Sequence, residues 1–263
     1  MNRNEGIVIV GAGIIGLNVA LVLSERGYGR SITILAEHLP GDTSIAYTSP
    51  WAGCNFSAIS GSSPNELKWD RLGYAHLTKL ASEKPDESFV KRTPSTELWD
   101  EEIPYDKIEA MGEYLEDFRI LPDSELPEGV KYAVSFTTVT INAPKHVEYL
   151  YHRLKDQYGV RDGATYSYET ESILDRTTRL SSELRKDKPE ILAVFAGLRP
   201  SREGGARVER DQVSVAGKKR TVVHNYGAGG TGFQAGYGMA WEAVRTVEDI
   251  LRELRGQNPQ PHL

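Results

Sequence analysis

The richest chemistry in this sequence lies in the spacing of Gly11-Ala12-Gly13-Ile14-Ile15-Gly16. Glycines in G-x-G-x-x-G order let a chain turn tightly, bring a pyrophosphate against backbone, and pack a helix closely on a strand. The free N–H groups and positive end of the helix that follows favour phosphate oxygens. Glu37 stands about twenty residues further on, where a carboxylate accepts ribose hydroxyls. Glycines also serve ordinary turns, but with strand, helix and acidic residue in sequence dinucleotide binding is the stronger reading.

Two later stretches extend this chemistry. Arg199 follows the apolar run EILAVFAG and precedes Pro200, whose fixed φ aims the guanidinium off a strand end. So placed it suits bidentate capture of a carboxylate, while an exposed basic hairpin over LRPSREGGARVERD is the equally open alternative. AGGTGFQAG sits between a β-branched run and an amphipathic one. It reads either as a linker or as a backbone-lined cofactor site whose helix N–H groups stabilise negative charge. Cys54, His38, His146 and His224 read as structural, and Trp51, Trp69, Trp99 and Trp241 as core or pocket walls.

The elements that must position these residues follow from periodicity. Residues 6–10 predict a strand, Leu17 to Gly27 a helix and 31–37 a second buried strand, with a long functional loop over 38–55. Helices are expected over 66–83 and 106–118, separated by polar loops. A strand over 130–142 shows Val130, Tyr132, Val134 and Phe136 on one covered face. Asn142 caps a helix carrying Pro144 in its first turn and Val147, Leu150, Tyr151, Leu154 and Tyr158 on one side. A helix over 168–186, strands over 190–197 and 220–227, and a final helix bearing Ala240, Val244, Val247, Leu251 and Leu254 complete the reading.

Composition narrows the class. The 263 residues hold 31 Lys and Arg against 37 Asp and Glu, a net charge of −6 with both signs scattered. That argues against nucleic acid or an anionic membrane surface as the main partner. The single cysteine forms no internal disulfide, the six histidines lack metal-ligand spacing, and no apolar run is long enough for a membrane span. A reduced, intracellular protein is expected, cytoplasmic or peroxisomal, although Pro261 makes the C-terminal PHL a weak import signal.

Together, VIVGAGIIGL, ILAEHLPGDTSIAYTSPWAGCNF, FTTVTINAPKHVEYL, AGLRPSREGGARVER and HNYGAGGTGFQAGYGMAWEA resemble the D-amino-acid oxidase family, D-aspartate oxidases included, and its fungal members most. The resemblance implies an α/β fold: a FAD-binding Rossmann-like domain joined to a truncated mixed-sheet substrate domain. The first would comprise 1–56, 143–165 and 190–263, the second 57–142 and 166–189. It implies FAD held by Gly11, Ala12, Gly13, Ile14, Ile15, Gly16, Ala36, Glu37, His38, Thr43, Ser44, Gly53 and Asn55, and by a second loop of Gly229, Gly230, Thr231, Gly232, Phe233 and Gln234. Arg199 matches the arginine that pairs with the substrate carboxylate, and the Gly230 carbonyl the acceptor for its amine. The reaction implied is oxidative deamination of a D-amino acid to a 2-oxo acid with release of hydrogen peroxide.

The chain is about a hundred residues short of this pattern, and the gap falls within KDQYGVRDGATYSYETESIL. Strands that wall the substrate pocket should lie there. Their loss leaves edges and apolar faces to be met by rearrangement or by a second copy in a homodimer. The expected outcome is an oxidase with an open or rebuilt pocket and reduced or altered activity. The alternatives are a scaffold repurposed for a non-redox reaction or for binding, such as a cyclase or isomerase, and an inactive deletion product.

Overall fold

The computed structural model describes residues 6–57, 63–161, 199–215 and 217–256. Strand β1 (Ile7–Val10) runs through the glycine turn into α1 (Ile14–Glu25), and β2 (Ile32–Leu35) returns parallel to β1, Ile7 opposite Ile32 and Val10 opposite Leu35. The second strand thus ends before Ala36 and Glu37, which lie just beyond it. Short β3 (Cys54–Asn55) leads to α2 (Pro64–Glu83), which opens on Ser63, its hydroxyl accepting from the Glu66 N–H, and then to α3 (Pro85–Ser88).

The following segment corrects the expectation of polar loops. Val90–Trp99 is a ten-residue strand, β4, and after α4 (Tyr105–Gly112) the chain forms β5 (Glu116–Ile120) instead of staying helical to 118. Strand β4 shows little apolar alternation because it lies on an edge, with Val90 its one buried residue and Pro94 tolerated within it. What makes it a strand is pairing along its whole length with β6 (Tyr132–Ile141), from Val90 opposite Ile141 to Trp99 opposite Tyr132. On the other edge of β6, β3 and β5 pair in succession. β6 is therefore central, and the expected half-covered strand is buried on both faces in places: neighbouring Ala133 and Val134 are each fully enclosed.

Helix α5 (Ala143–Tyr158) starts as the sequence predicts, the Asn142 side chain accepting from the Lys145 N–H with Pro144 in the first turn, and ends on Gly159 in the left-handed region. Arg161 then bridges Thr33 in parallel, its carbonyl accepting the Ile34 N–H at 2.7 Å. The helix expected over 168–186 and the strand over 190–197 lie outside the described residues. The basic loop is shorter than predicted: β7 (Arg207–Val215) begins within it and forms an antiparallel hairpin with β8 (Lys218–Tyr226). The final helix, α6, spans Gly232–Leu254.

Two cores result. One packs Ile9, Ile32 and Ile34 against Leu17, Leu21, Leu150, Leu154 and Val244 from α1, α5 and α6. The other packs β6 and its neighbours against α2 and α4 around Phe56, Phe136 and Met111. Phe233 touches both. The cores meet where α2 crosses α6, and the crossing is close because two glycines form it. A Cβ on Gly73 would overlap the Gln234 carbonyl, and one on Gly238 would overlap the Trp69 backbone. His76 stacks on Tyr237 with ring centroids 3.7 Å apart, and the Trp69 indole N–H donates to Glu242 at 3.0 Å across the same interface.

Candidate cofactor and substrate site

Gly11 adopts φ +102°, open to glycine at little cost, and its N–H donates to the Leu35 carbonyl at 2.7 Å, tying the turn to the end of β2. A Cβ on Gly16 would overlap the Gly11 carbonyl, so α1 can start this close to β1 only without a side chain there. Helix α1 has neither a side-chain cap from Gly13 nor an acidic residue in its first turn. Its Ile14 N–H is taken within the chain, and the Ile15 and Gly16 N–H groups behind it are the ones that helix geometry leaves for an external acceptor. Ala12 is buried while Ile14 and Ile15 pack inward, so this segment presents backbone rather than side chains.

Two residues that motif reasoning missed complete this loop. The Ser49 hydroxyl accepts the Ile14 N–H at 2.9 Å and lies 2.9 Å from where a Gly13 Cβ would stand. The buried Tyr47 hydroxyl donates to the Ala12 carbonyl at 2.7 Å, and burial raises its pKa. The available signal was the hydroxyl-rich YTSP run in the long loop. That loop is otherwise self-bonded. His38 is buried and its Nδ1 meets the Asp42 carboxylate at 2.7 Å; the other Asp42 oxygen accepts the Ser44 N–H at 2.7 Å, and the Ser44 carbonyl accepts from the Trp51 indole. The Ser44 N–H first, and His38 second, hold the Asp42 carboxyl below its ordinary pKa. Of the other residues singled out here, Ala36 packs on the first core, the Glu37 side chain is half exposed, and Thr43, Gly53 and Asn55 are exposed.

The second loop converges on Arg199. Ser201 and Ala228 form an antiparallel bridge, and the Gly229 N–H donates to the Pro200 carbonyl at 3.2 Å. This pairing puts the Arg199 guanidinium over Gly230: a Cβ there would lie 3.5 Å from Nη1 and 3.6 Å from Cζ. Gly229–Thr231 is a single tight turn running directly into α6, whose start has no side-chain cap. Phe233 points into the protein, and Gln234, also buried, accepts the Ser57 N–H at 3.3 Å and donates to Asp70 at 3.4 Å. Beside the loop is a cleft of about 290 Å³ lined by Trp69, Ser201, Arg202, Gly229, Thr231 and Met239 among others. Arg199 stands exposed outside it.

The remaining candidates behave as structural groups. Burial pushes the Cys54 thiol up to about 12, which keeps it protonated and unreactive. His146 is buried with Nδ1 2.7 Å from the Ser88 carbonyl, and burial lowers its pKa to about 4. Among the described residues no group of three or more His, Cys, Asp and Glu could hold a metal, and no helix is long and apolar enough to cross a membrane.

A parallel βαβ unit whose helix starts over a glycine turn defines a dinucleotide-binding α/β protein. Comparison with known proteins takes this further. Residues 6–162 match the family model "FAD dependent oxidoreductase". A D-amino-acid oxidase from Schizosaccharomyces pombe is 32% identical over an alignment covering 92% of this chain and 96% of the relative. A D-aspartate oxidase from Talaromyces thermophilus is 24% identical over 92% and 94%. The first alignment runs over 337 positions, more than the chain has, so the relative carries residues with no counterpart here. Among solved structures, glycine oxidase from Bacillus cereus superposes with a TM-score of 0.63 at 14% identity, covering 99% of both chains, which shows a shared fold. The chain belongs to the D-amino-acid oxidase family of FAD-dependent oxidoreductases. Its cofactor is FAD, and the turn at 11–16, which presents backbone and the Ile15 and Gly16 N–H groups, fits a dinucleotide phosphate.

Proposed function

We propose that the chain oxidises a D-amino acid to a 2-oxo acid, with Arg199 and Gly230 as its substrate-binding pair. The observation that carries this is the guanidinium of Arg199 lying over Gly230. In this reading Arg199 takes the α-carboxylate in a bidentate pair and the Gly230 carbonyl accepts from the amine, which fixes the orientation of the α-carbon. Backbone from Gly11 to Gly16, with Ala36, Glu37, His38, Thr43, Ser44, Gly53 and Asn55, would hold the dinucleotide together with the second loop, Gly229 to Gln234. When bound, FAD would supply a two-electron acceptor for the α-hydrogen and its electron pair, with oxygen as the final oxidant and hydrogen peroxide as the by-product. The amine proton leaves to solvent, and water converts the imino acid to 2-oxo acid and ammonia. Orientation carries the chemistry, and no acid–base side chain is required.

Exposure of Arg199 supports reduced turnover, since water competes for an open guanidinium and weakens its hold on the carboxylate. It also favours a second reading, in which the cofactor binds but no D-amino acid is turned over. The experiment is reconstitution with FAD, followed by the visible flavin spectrum and peroxide release on neutral, acidic and basic D-amino acids. Flavin absorption with peroxide supports the first reading, absorption without peroxide the second. Protein that stays colourless after reconstitution rejects both.

A further inference from the structure

The second loop is tied at its start, by the Gly229 N–H to Pro200 and by Thr231, whose N–H and hydroxyl both donate to the Ala228 carbonyl. Helix α6 begins without a side-chain cap or an acidic residue in its first turn, and the turn before it is three residues long. What fixes this end comes from elsewhere in the chain. Gln234, in the first turn of α6 and 5% exposed, has its carboxamide oxygen on the Ser57 N–H at 3.3 Å and its NH₂ on Asp70 Oδ1 at 3.4 Å. Asp70 belongs to α2 and is 2% exposed. Its carboxylate faces the first turn of α6, where helix geometry leaves N–H groups and a positive end. One turn along α2, Gly73 brings the two backbones so close that a Cβ there would overlap the Gln234 carbonyl. Ser57 is held in turn, its hydroxyl donating to Glu97 of β4.

We propose that Asp70 is a positioning residue for the second cofactor loop: its contact with Gln234 sets the first turn of α6, so that a helix of the substrate half holds Gly229–Gln234 in place for the cofactor. This deepens the proposed function and rests on it, since the loop's task there is to flank FAD. Asp70 acts on the cofactor through Gln234. The role is geometric, because a buried amide with both ends bonded has one orientation, whereas one freed from either end must find other partners or carry an unmet polar group.

The test compares Asp70→Ala, Asp70→Asn and Gln234→Ala with the parent chain. Asparagine keeps the acceptor oxygen and removes the charge; alanine removes both. Two quantities are read: FAD affinity by fluorescence quenching, and amide hydrogen exchange across 229–236 in the cofactor-free chain. Asp70→Ala should weaken FAD binding roughly tenfold and speed exchange in that segment, while Asp70→Asn stays within about twofold of the parent. Gln234→Ala should speed exchange in the same segment, and adding it to Asp70→Ala should cost little more. Unchanged exchange in Asp70→Ala, an Asp70→Asn as impaired as Asp70→Ala, or additive losses would each overturn the proposal. Gln234→Ala decides it if Asp70→Ala does not fold, because unchanged exchange there is equally fatal. A parent chain that binds no FAD overturns the oxidase reading instead, and exchange in the cofactor-free chain still judges Asp70.

Discussion

The two faces of the β1–β2 pair contrast sharply. On one, Ile9, Ile32 and Ile34 are enclosed by α1, α5 and α6, and the edge of this face carries the glycine turn. On the other, Val8, Val10 and Leu35 are 57%, 85% and 48% exposed. Parallel strands normally bury both faces. Among the described residues the helix-facing side of the pair is therefore fully packed while the far side stays uncovered. The same division appears at the site: the loop at 11–16 is tied down by Leu35, Ser49 and Tyr47, whereas Arg199 stands in solvent.

The largest effects should fall in the packed interior. Gly73→Ala forces a methyl into the Gln234 carbonyl and should cost about 3 kcal/mol, as overpacking where only backbone can yield. Ile34→Ala, at a fully enclosed position, should cost a similar ~3 kcal/mol through lost burial and a residual cavity. Denaturant titration checks both, with midpoints shifted and slopes unchanged. If Ile34→Ala costs below about 1 kcal/mol, this face is less well packed than the other residues around it imply.

Acid should act on the same interior. Burial, before any neighbouring charge, lowers the pKa of His146 from 6.5 to about 4, and that of His76 to about 3, with His146, Arg153 and Lys79 adding to the effect on His76. Both are neutral when folded and protonate near 6.5 when unfolded. Their stabilisation is thus fully present above pH 6.5 and drains away as pH falls toward 4 and then 3. A denaturation midpoint flat between pH 6.5 and 5 would reject that assignment. His76→Phe, which keeps the stack on Tyr237, should flatten part of the slope.

Most of the cofactor half was legible in the sequence because its signals are local. G-x-G-x-x-G, a β-branched strand on either side, and the Asn142–Pro144 helix start each specify themselves within a few residues. Strand β4 was not legible, since VKRTPSTELW owes its extended form to ten residues of β6 that lie distant in sequence. At the candidate site, the glycines that the turn requires, Gly11 and Gly16, could be read from their type. Ser49 showed only as one hydroxyl of the YTSP run, and Asp70 not at all: one matters through a contact across 35 residues of chain and the other across 164.

A smaller effect is expected at Ser49. Ser49→Ala removes the oxygen that accepts the Ile14 N–H, uncapping one donor of α1 where solvent or a phosphate can replace it. It should cost about 1 kcal/mol in the cofactor-free chain and less with FAD bound, measured as thermal midpoints with and without the cofactor. An equal loss in both states would place the Ser49 contact outside the cofactor's reach.

The smallest effect is the sharpest test of the comparison. Val10 is 85% exposed though it sits in a strand whose neighbour Ile9 is 8% exposed. A side chain already in water gives up little on replacement, so Val10→Ser should change stability by about 0.5 kcal/mol or less, part of it β-propensity. It should also reduce self-association, because Val8, Val10 and Leu35 form one apolar surface. A loss approaching that of Ile34→Ala would show the face covered in solution, by more of this chain or by a second copy. Repeating the measurement across protein concentrations separates those two, since only cover by a second copy weakens on dilution. Either result would turn the contrast between faces from a difference in packing into a difference in when each face is packed.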